Sequence, residues 1–197
     1  MRIDKNDLLL YAVTDRQWLG EASLAEQLEE AIQAGVTVVQ LREKELDFDA
    51  FVSLGKELQA VAKRHRIPFI INDAVDVALA LDADGVHVGQ SDMQAGDVRS
   101  RIGEEKILGV SAHSVEEALA AERNGADYLG VGAIYGTATK PDANTLSIET
   151  LQQICQAVSI PVVGIGGIAE GNILNLNGSG IDGVAVVSAI FAQPDIT

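Results

Sequence analysis

An eight-stranded parallel barrel wrapped in helices, a (β/α)8 fold in one domain over residues 1–197, is what this sequence predicts. Three observations lead there. Short apolar runs alternate with capped amphipathic stretches along the whole chain, and such βα alternation builds parallel sheets. Four phrases, Gly35-Val36-Thr37-Val38-Val39, Asp84-Gly85-Val86-His87-Val88, Gly125-Ala126-Asp127-Tyr128-Leu129 and Gly180-Ile181-Asp182-Gly183-Val184, each stop a helix and launch a strand. Finally, 47% of the residues are hydrophobic but only 4% aromatic, the aliphatic content of a sheet covered on both faces.

The elements follow in order. Leu8 to Asp15 is the first strand. Ser23 caps the helix after it, with Glu26 at the capping-box position; Leu24, Leu28, Ala31 and Ile32 form its apolar face and Gly35 ends it. Thr37 to Arg42 is the second strand. Asp47 or Asp49 starts a helix with Phe51, Leu54, Leu58 and Val61 as its stripe. Pro68 precedes the third strand, Phe69-Ile70-Ile71, which closes on Asn72-Asp73. A short helix runs to about Leu81, and 84–89 is the fourth strand. A brief helix over 97–102 leads to the fifth strand, 107–112. Ser114, with Glu117, caps the next helix, and 128–132 is the sixth strand. After a longer loop, 133–146, come a helix over 147–158 and a seventh strand, 161–165, closing on Gly166-Gly167. A weak helix over 172–177 and an eighth strand, 183–187, complete the count. Only Phe191 to Thr197 remain beyond Ile190, so the eighth outer helix is expected to be short or missing, with the chain stopping early or a partner subunit taking its place.

Composition narrows the function. A net charge of −15 and a pI near 4.4 repel phosphate backbones and anionic lipid, so neither nucleic acid nor membrane is expected as a partner. The lone Cys155 excludes an internal disulfide and a cysteine-based metal cage. The first residues show no signal-peptide pattern and no apolar run reaches membrane-spanning length, so a cytoplasmic protein is expected. An acidic chain that binds an anionic small molecule must gather its few cations in one place.

In this fold chemistry sits at the C-terminal ends of the strands. Side-chain alternation along 38–44 points Gln40, Arg42 and Lys44 one way and Leu41 and Glu43 the other, an arrangement suited to gripping an anion. Gly166-Gly167, with Val187-Ser188 after the last strand, match the phosphate site of such barrels, where backbone N–H groups cradle the anion; the plainer reading is glycines that merely turn the chain. Asp73 and Asp92 end neighbouring strands, and two acids plus phosphate oxygens and water make a Mg²⁺ ligand set; the plainer reading is two helix caps. Arg42, Lys44 and Lys140 beside them favour a metal–diphosphate site. His87, among valines, reads as a core histidine whose alternation lets it face the barrel mouth, and His113 as a residue behind Ser111. His65 belongs to a solvated basic helix end, and Cys155 to the core.

Seven motifs in register, Gln40-Leu41-Arg42-Glu43-Lys44, Ile71-Asn72-Asp73, residues 84–90, Gly109-Val110-Ser111-Ala112-His113, Thr137-Ala138-Thr139-Lys140, residues 163–168 and Val187-Ser188-Ala189-Ile190, closely resemble the thiamine-phosphate synthase family along essentially the whole chain. The resemblance implies a transferase that joins hydroxymethylpyrimidine diphosphate to thiazole phosphate, releasing thiamine phosphate and diphosphate. It implies pyrimidine diphosphate binding by Gln40, Leu41, Arg42, Glu43, Lys44, Asn72, His87, Ser111 and Lys140, with Arg42, Lys44, Lys140 and Ser111 catalytic. It implies thiazole-phosphate binding by Thr137, Ala138, Thr139, Gly167, Val187 and Ser188, and Mg²⁺ on Asp73 and Asp92. One departure is Gly136, where the family usually has proline, so that loop is expected to be more mobile. Small-molecule substrates are the partners expected, with a homo-oligomer as an open possibility. Two rivals stand beside this reading: an isomerase like the related thiazole tautomerase, which has no need of paired acids or the cation grip, and a non-catalytic thiazole-phosphate sensor.

Overall fold

The structure is a computed structural model that describes residues 3–20, 22–90, 95–136, 145–193 and 195–196. Eight parallel strands close on one another in sequence order, β1 (Leu10–Val13), β2 (Val38–Leu41), β3 (Phe69–Asn72), β4 (Gly85–Val88), β5 (Ile107–Ala112), β6 (Tyr128–Val131), β7 (Val162–Ile165) and β8 (Gly183–Val186), with β8 pairing back onto β1. Around them lie α1 (Leu24–Gln33), α2 (Phe48–His65), α3 (Val75–Leu81), α4 (Ala95–Ile102), α5 (Val115–Arg123), α6 (Ile148–Ala157) and the four-residue α7 (Ser188–Phe191). The fold is the expected (β/α)8 barrel with a short last helix.

Alternation along each strand separates two cores. In β2, Val38 and Gln40 point into the barrel while Val39 and Leu41 join the layer between sheet and helices. Tyr11, Val13, Val38, Ile70, Ile107, Tyr128, Val163 and Ala185 fill the interior, with Ile3 and Leu8 packed among them. The expected first strand therefore starts late: Leu8 is fully buried before β1 begins at Leu10. The expected weak helix near 172–177 is a 3-10 turn, Ile173–Leu176.

The helices begin where the sequence supplies caps. Ser23 and Glu26 form a reciprocal capping box on α1, while Asp47, Ser114 and Ser147 cap α2, α5 and α6. Arg64 and His65, in the last turn of α2, both bond Glu29 of α1, holding its carboxyl down to about 2. His65 thus joins a half-buried hydrogen-bonded contact between α1 and α2 rather than a fully solvated face.

The four strand-launching phrases have a common physical role. In each, a side-chain oxygen accepts the N–H of a residue at the start of the preceding odd strand, and that residue's carbonyl accepts the N–H of the phrase in return. Leu10 donates to Thr37 Oγ1 (3.0 Å), Phe69 to Asp84 Oδ2 (2.9 Å), Leu108 to Asp127 Oδ2 (2.7 Å) and Val162 to Asp182 Oδ2 (3.0 Å). The return bonds run from Thr37, Asp84, Asp127 and Asp182 to the same four residues at 2.7–3.1 Å. These two-point clamps tie β1 to β2, β3 to β4, β5 to β6 and β7 to β8 at the N-terminal rim, the face that serves stability in this fold.

Candidate active site

A cavity opens at the C-terminal end of the barrel, and its walls are the inward positions of the strands and the residues just past them. Gln40 and Arg42 enter from β2 and its end, Asn72 from β3, His87 from β4, Ser111 and His113 from β5 and its end, Gly167 from the loop after β7, and Val187 with Ser188 from beyond β8. Eight of the residues singled out from the sequence, Gln40, Arg42, Asn72, His87, Ser111, Gly167, Val187 and Ser188, therefore line one space.

Others lie elsewhere. Leu41 is fully buried on the helix-facing side of β2, so only its backbone is left for the mouth. Strand alternation ends with β2 at Leu41, and Lys44, two residues past Arg42, is exposed in a bend outside the described cavity wall. Glu43 is committed to a bidentate pair with Arg16, which lies in the 3-10 turn after β1: Arg16 Nε donates to Oε1 (2.7 Å) and Nη2 to Oε2 (2.9 Å). The Glu43 side chain is only 5% exposed. Asp92, Thr137, Ala138, Thr139 and Lys140 lie outside the described residues.

The ends of β1 and β2 brace each other under Arg42. Arg42 N–H donates to Thr14 Oγ1 (3.1 Å), Thr14 N–H donates to the Gln40 carbonyl (2.9 Å), and the Arg42 guanidinium lies 3.9 Å from Asp15. A guanidinium is always charged and presents a planar fork of donors, so this site keeps a fixed cation within a strongly acidic molecule.

Asp73 has a left-handed backbone, φ 59°, uncommon away from glycine although aspartate tolerates it. Its Oδ2 accepts Asn72 Nδ2 (2.5 Å), and its N–H donates to the His87 carbonyl (2.8 Å). Asp73 is exposed at the end of β3, next in sequence to the cavity-lining Asn72 but not itself in the wall. A carboxylate is a hard oxygen donor of the kind Mg²⁺ takes, and that ion uses one or two carboxylates with phosphates and water. Among the described residues no cluster of three or more metal-binding side chains occurs, and Asp73 is the one carboxylate of the expected pair that they include. Gly166 and Gly167 have φ of 97° and 63°, and a Cβ on Gly167 would lie 2.5 Å from the Gly136 carbonyl oxygen. Glycine is demanded here by the turn and by close approach of the loop after β6.

Sequence reasoning missed two residues at the centre of the cavity floor. Tyr11 and Tyr128 meet hydroxyl to hydroxyl at 2.7 Å, with Gln40 Nε2 donating to Tyr11 (2.8 Å). Tyr128 also bonds His87 Nδ1 (3.0 Å), whose Nε2 bonds Ser111 Oγ (3.0 Å). Burial pushes both phenol pKa values up, so both stay protonated. A signal existed: only three tyrosines occur in the chain, and these two hold inward strand positions. Room for them comes from glycine, since a Cβ on Gly109 would sit 2.2 Å from Tyr128 Cζ and 2.4 Å from His87 Nδ1.

The class this architecture defines is a (β/α)8 barrel whose mouth is polar, holds the Arg42 guanidinium and is followed after β7 by paired glycines. The family model described as thiamine monophosphate synthase matches residues 10–190, and the chain belongs to that family. Among its relatives, the thiamine-phosphate synthase of Clostridium acetobutylicum is 54% identical over 96% of this chain and 90% of its own. That of Clostridium tetani is 52% identical over 96% and 91%. The solved structure of thiamine phosphate pyrophosphorylase from Pyrococcus furiosus superposes with a TM-score of 0.89 at 40% identity, covering 98% of this chain and 91% of that one.

Proposed function

We propose that this transferase joins hydroxymethylpyrimidine diphosphate to thiazole phosphate, or carboxythiazole phosphate, giving thiamine phosphate and diphosphate. The observation that carries the reading is convergence. Gln40, Arg42, Asn72 and Ser111 arrive from three strands at one cavity beside Gly167 and Ser188, inside a chain about half identical to named synthases over nearly its whole length.

The chemistry is a displacement at the pyrimidine methylene carbon. The bond from that carbon to the diphosphate oxygen breaks, and the oxygen keeps the pair. The thiazole nitrogen supplies the pair for the new carbon–nitrogen bond, so no side chain need act as a nucleophile. Mg²⁺ on Asp73 and Asp92 would neutralise charge on the diphosphate. Arg42 adds a fixed positive charge where the leaving group gains negative charge, and such preorganised charge acts strongly away from bulk water. Lys44 and Lys140 are assigned the same task on the sequence pattern. Gln40, Asn72 and Ser111 hold the ring, and His87 holds Ser111. The loop after β7, with Val187 and Ser188, is assigned the thiazole phosphate together with Thr137, Ala138 and Thr139. Leu41 would take part through its backbone, and Glu43 through its hold on Arg16. The apolar walls, Val163, Ile165 and Ile168, keep water from a reactive methylene group.

Chelation tests the metal assignment. Treating the protein with excess EDTA should abolish turnover, and adding Mg²⁺ back should restore it; turnover unchanged by the chelator would remove Asp73 and Asp92 from the proposed role. The rivals separate in the same vessel. An isomerase converts the thiazole substrate alone, and a sensor binds thiazole phosphate yet makes no product when both substrates and Mg²⁺ are present.

A further inference from the structure

We infer that Gln40, Tyr11, Tyr128, His87 and Ser111 form one hydrogen-bond relay of single polarity, which makes Tyr11 and Tyr128 positioning residues that set which edge of a heteroaromatic ring the cavity accepts. The chain has four consecutive contacts of 2.7–3.0 Å. Tyr11 is 1% exposed and Tyr128 fully buried, so a hydroxyl proton left without an acceptor there is costly.

Proton counting fixes the direction. Gln40 Nε2 donates to Tyr11 Oη, so Tyr11 can spend its own proton only on Tyr128. Tyr128 must then give its proton to His87 Nδ1. That ring nitrogen is an acceptor, so the neutral imidazole carries its proton on Nε2 and donates to Ser111 Oγ. Ser111 in turn has its hydroxyl proton left for the cavity. Running the last three links the other way strands the Tyr11 proton. With Gln40 Nε2 donating, only one direction uses every phenol proton. Raised phenol pKa values keep a proton at each of the two central links.

The two ends of the relay both line the cavity. With Nε2 committed to Tyr11, Gln40 offers an acceptor, Oε1, while Ser111 offers a donor. A ring with an exocyclic amine on one edge and an acceptor nitrogen on another fits this pair; a ring with a carbonyl in place of the amine meets oxygen with oxygen at Gln40. Turning the Gln40 amide would reverse every link and both offers together. The two tyrosines prevent that turn piecemeal. This selectivity rests on the proposed synthase reading, whereas the relay itself does not.

The test therefore begins on the protein without substrate. Nitrogen-15 spectra of histidine-labelled wild type should show His87 protonated on Nε2 with Nδ1 accepting. Gln40→Glu puts a carboxylate against Tyr11, which must now donate to it, and His87, two hydroxyls away, should change to the Nδ1–H form. Tyr11→Phe breaks the first links without touching the imidazole, and should leave His87 a mixture of the two tautomers. An identical His87 tautomer in all three proteins overturns the relay. A second readout uses activity: in Tyr11→Phe, the preference in kcat/KM for the aminopyrimidine diphosphate over its oxo analogue should fall about tenfold. Equal losses on both substrates overturn the selectivity role. A wild type that makes no thiamine phosphate, yet shows the tautomer switch, would fail the synthase reading and keep the relay.

Discussion

Arg42 is proposed to share the electrostatic part of the mechanism, and its surroundings suit that role. Thr14 holds its backbone, Asp15 stands 3.9 Å from its guanidinium, and the side chain is 20% exposed. A pair that long contributes little to stability. Arg42→Ala should therefore lower kcat/KM by about 10²–10³-fold, the scale for losing one preorganised charge, with a nearly unchanged Tm. A large drop in Tm with normal turnover per folded molecule would reverse that assignment. At this scale the sequence was partly legible. Gln40 follows from period-two alternation within β2, whereas Arg42 and Lys44 lie past its end at Leu41, where the alternation rule no longer places a side chain. Tyr11 and Tyr128 escaped because an aromatic residue in an apolar strand reads as core, and hydroxyl partners from β1, β2, β4 and β6 are brought together only by closure of the barrel.

The βα element is the unit in which the fold was most readable. Caps at Ser23, Asp47, Ser114 and Ser147 sit where their residue types and spacing place them. The repeated Gly and Asp phrases marked strand starts before they could be seen as clamps. What a linear reading cannot supply is the partner of each Asp, since Val162 and Asp182 are 20 residues apart. Removing one clamp has a defined cost. Asp182→Ala leaves the Val162 N–H without its carboxylate acceptor in a half-buried place, worth about 1–3 kcal/mol. Urea unfolding should show a lower midpoint at unchanged slope, with kcat near wild type because the clamp lies at the opposite rim from the cavity. A midpoint equal to wild type would mean that β7 and β8 need no such tie.

Across the whole molecule, an acidic body with net charge −15 surrounds a mouth that holds a fixed cation. Such a molecule has little attraction for polyanions at large yet can bind a small one at a single place. Among the described residues no helix is long and apolar enough to cross a membrane. Closure in sequence order, β1 through β8, brings residues as far apart as Tyr11 and Tyr128 into one hydrogen bond, and the site exists only because the ring closes. The direct measurement of this account is a time course of diphosphate and thiamine phosphate with Mg²⁺ present. It predicts one diphosphate released for each thiamine phosphate formed, and none when either substrate is supplied alone. Diphosphate release without thiazole phosphate, or tight binding of both substrates with no product, would contradict it.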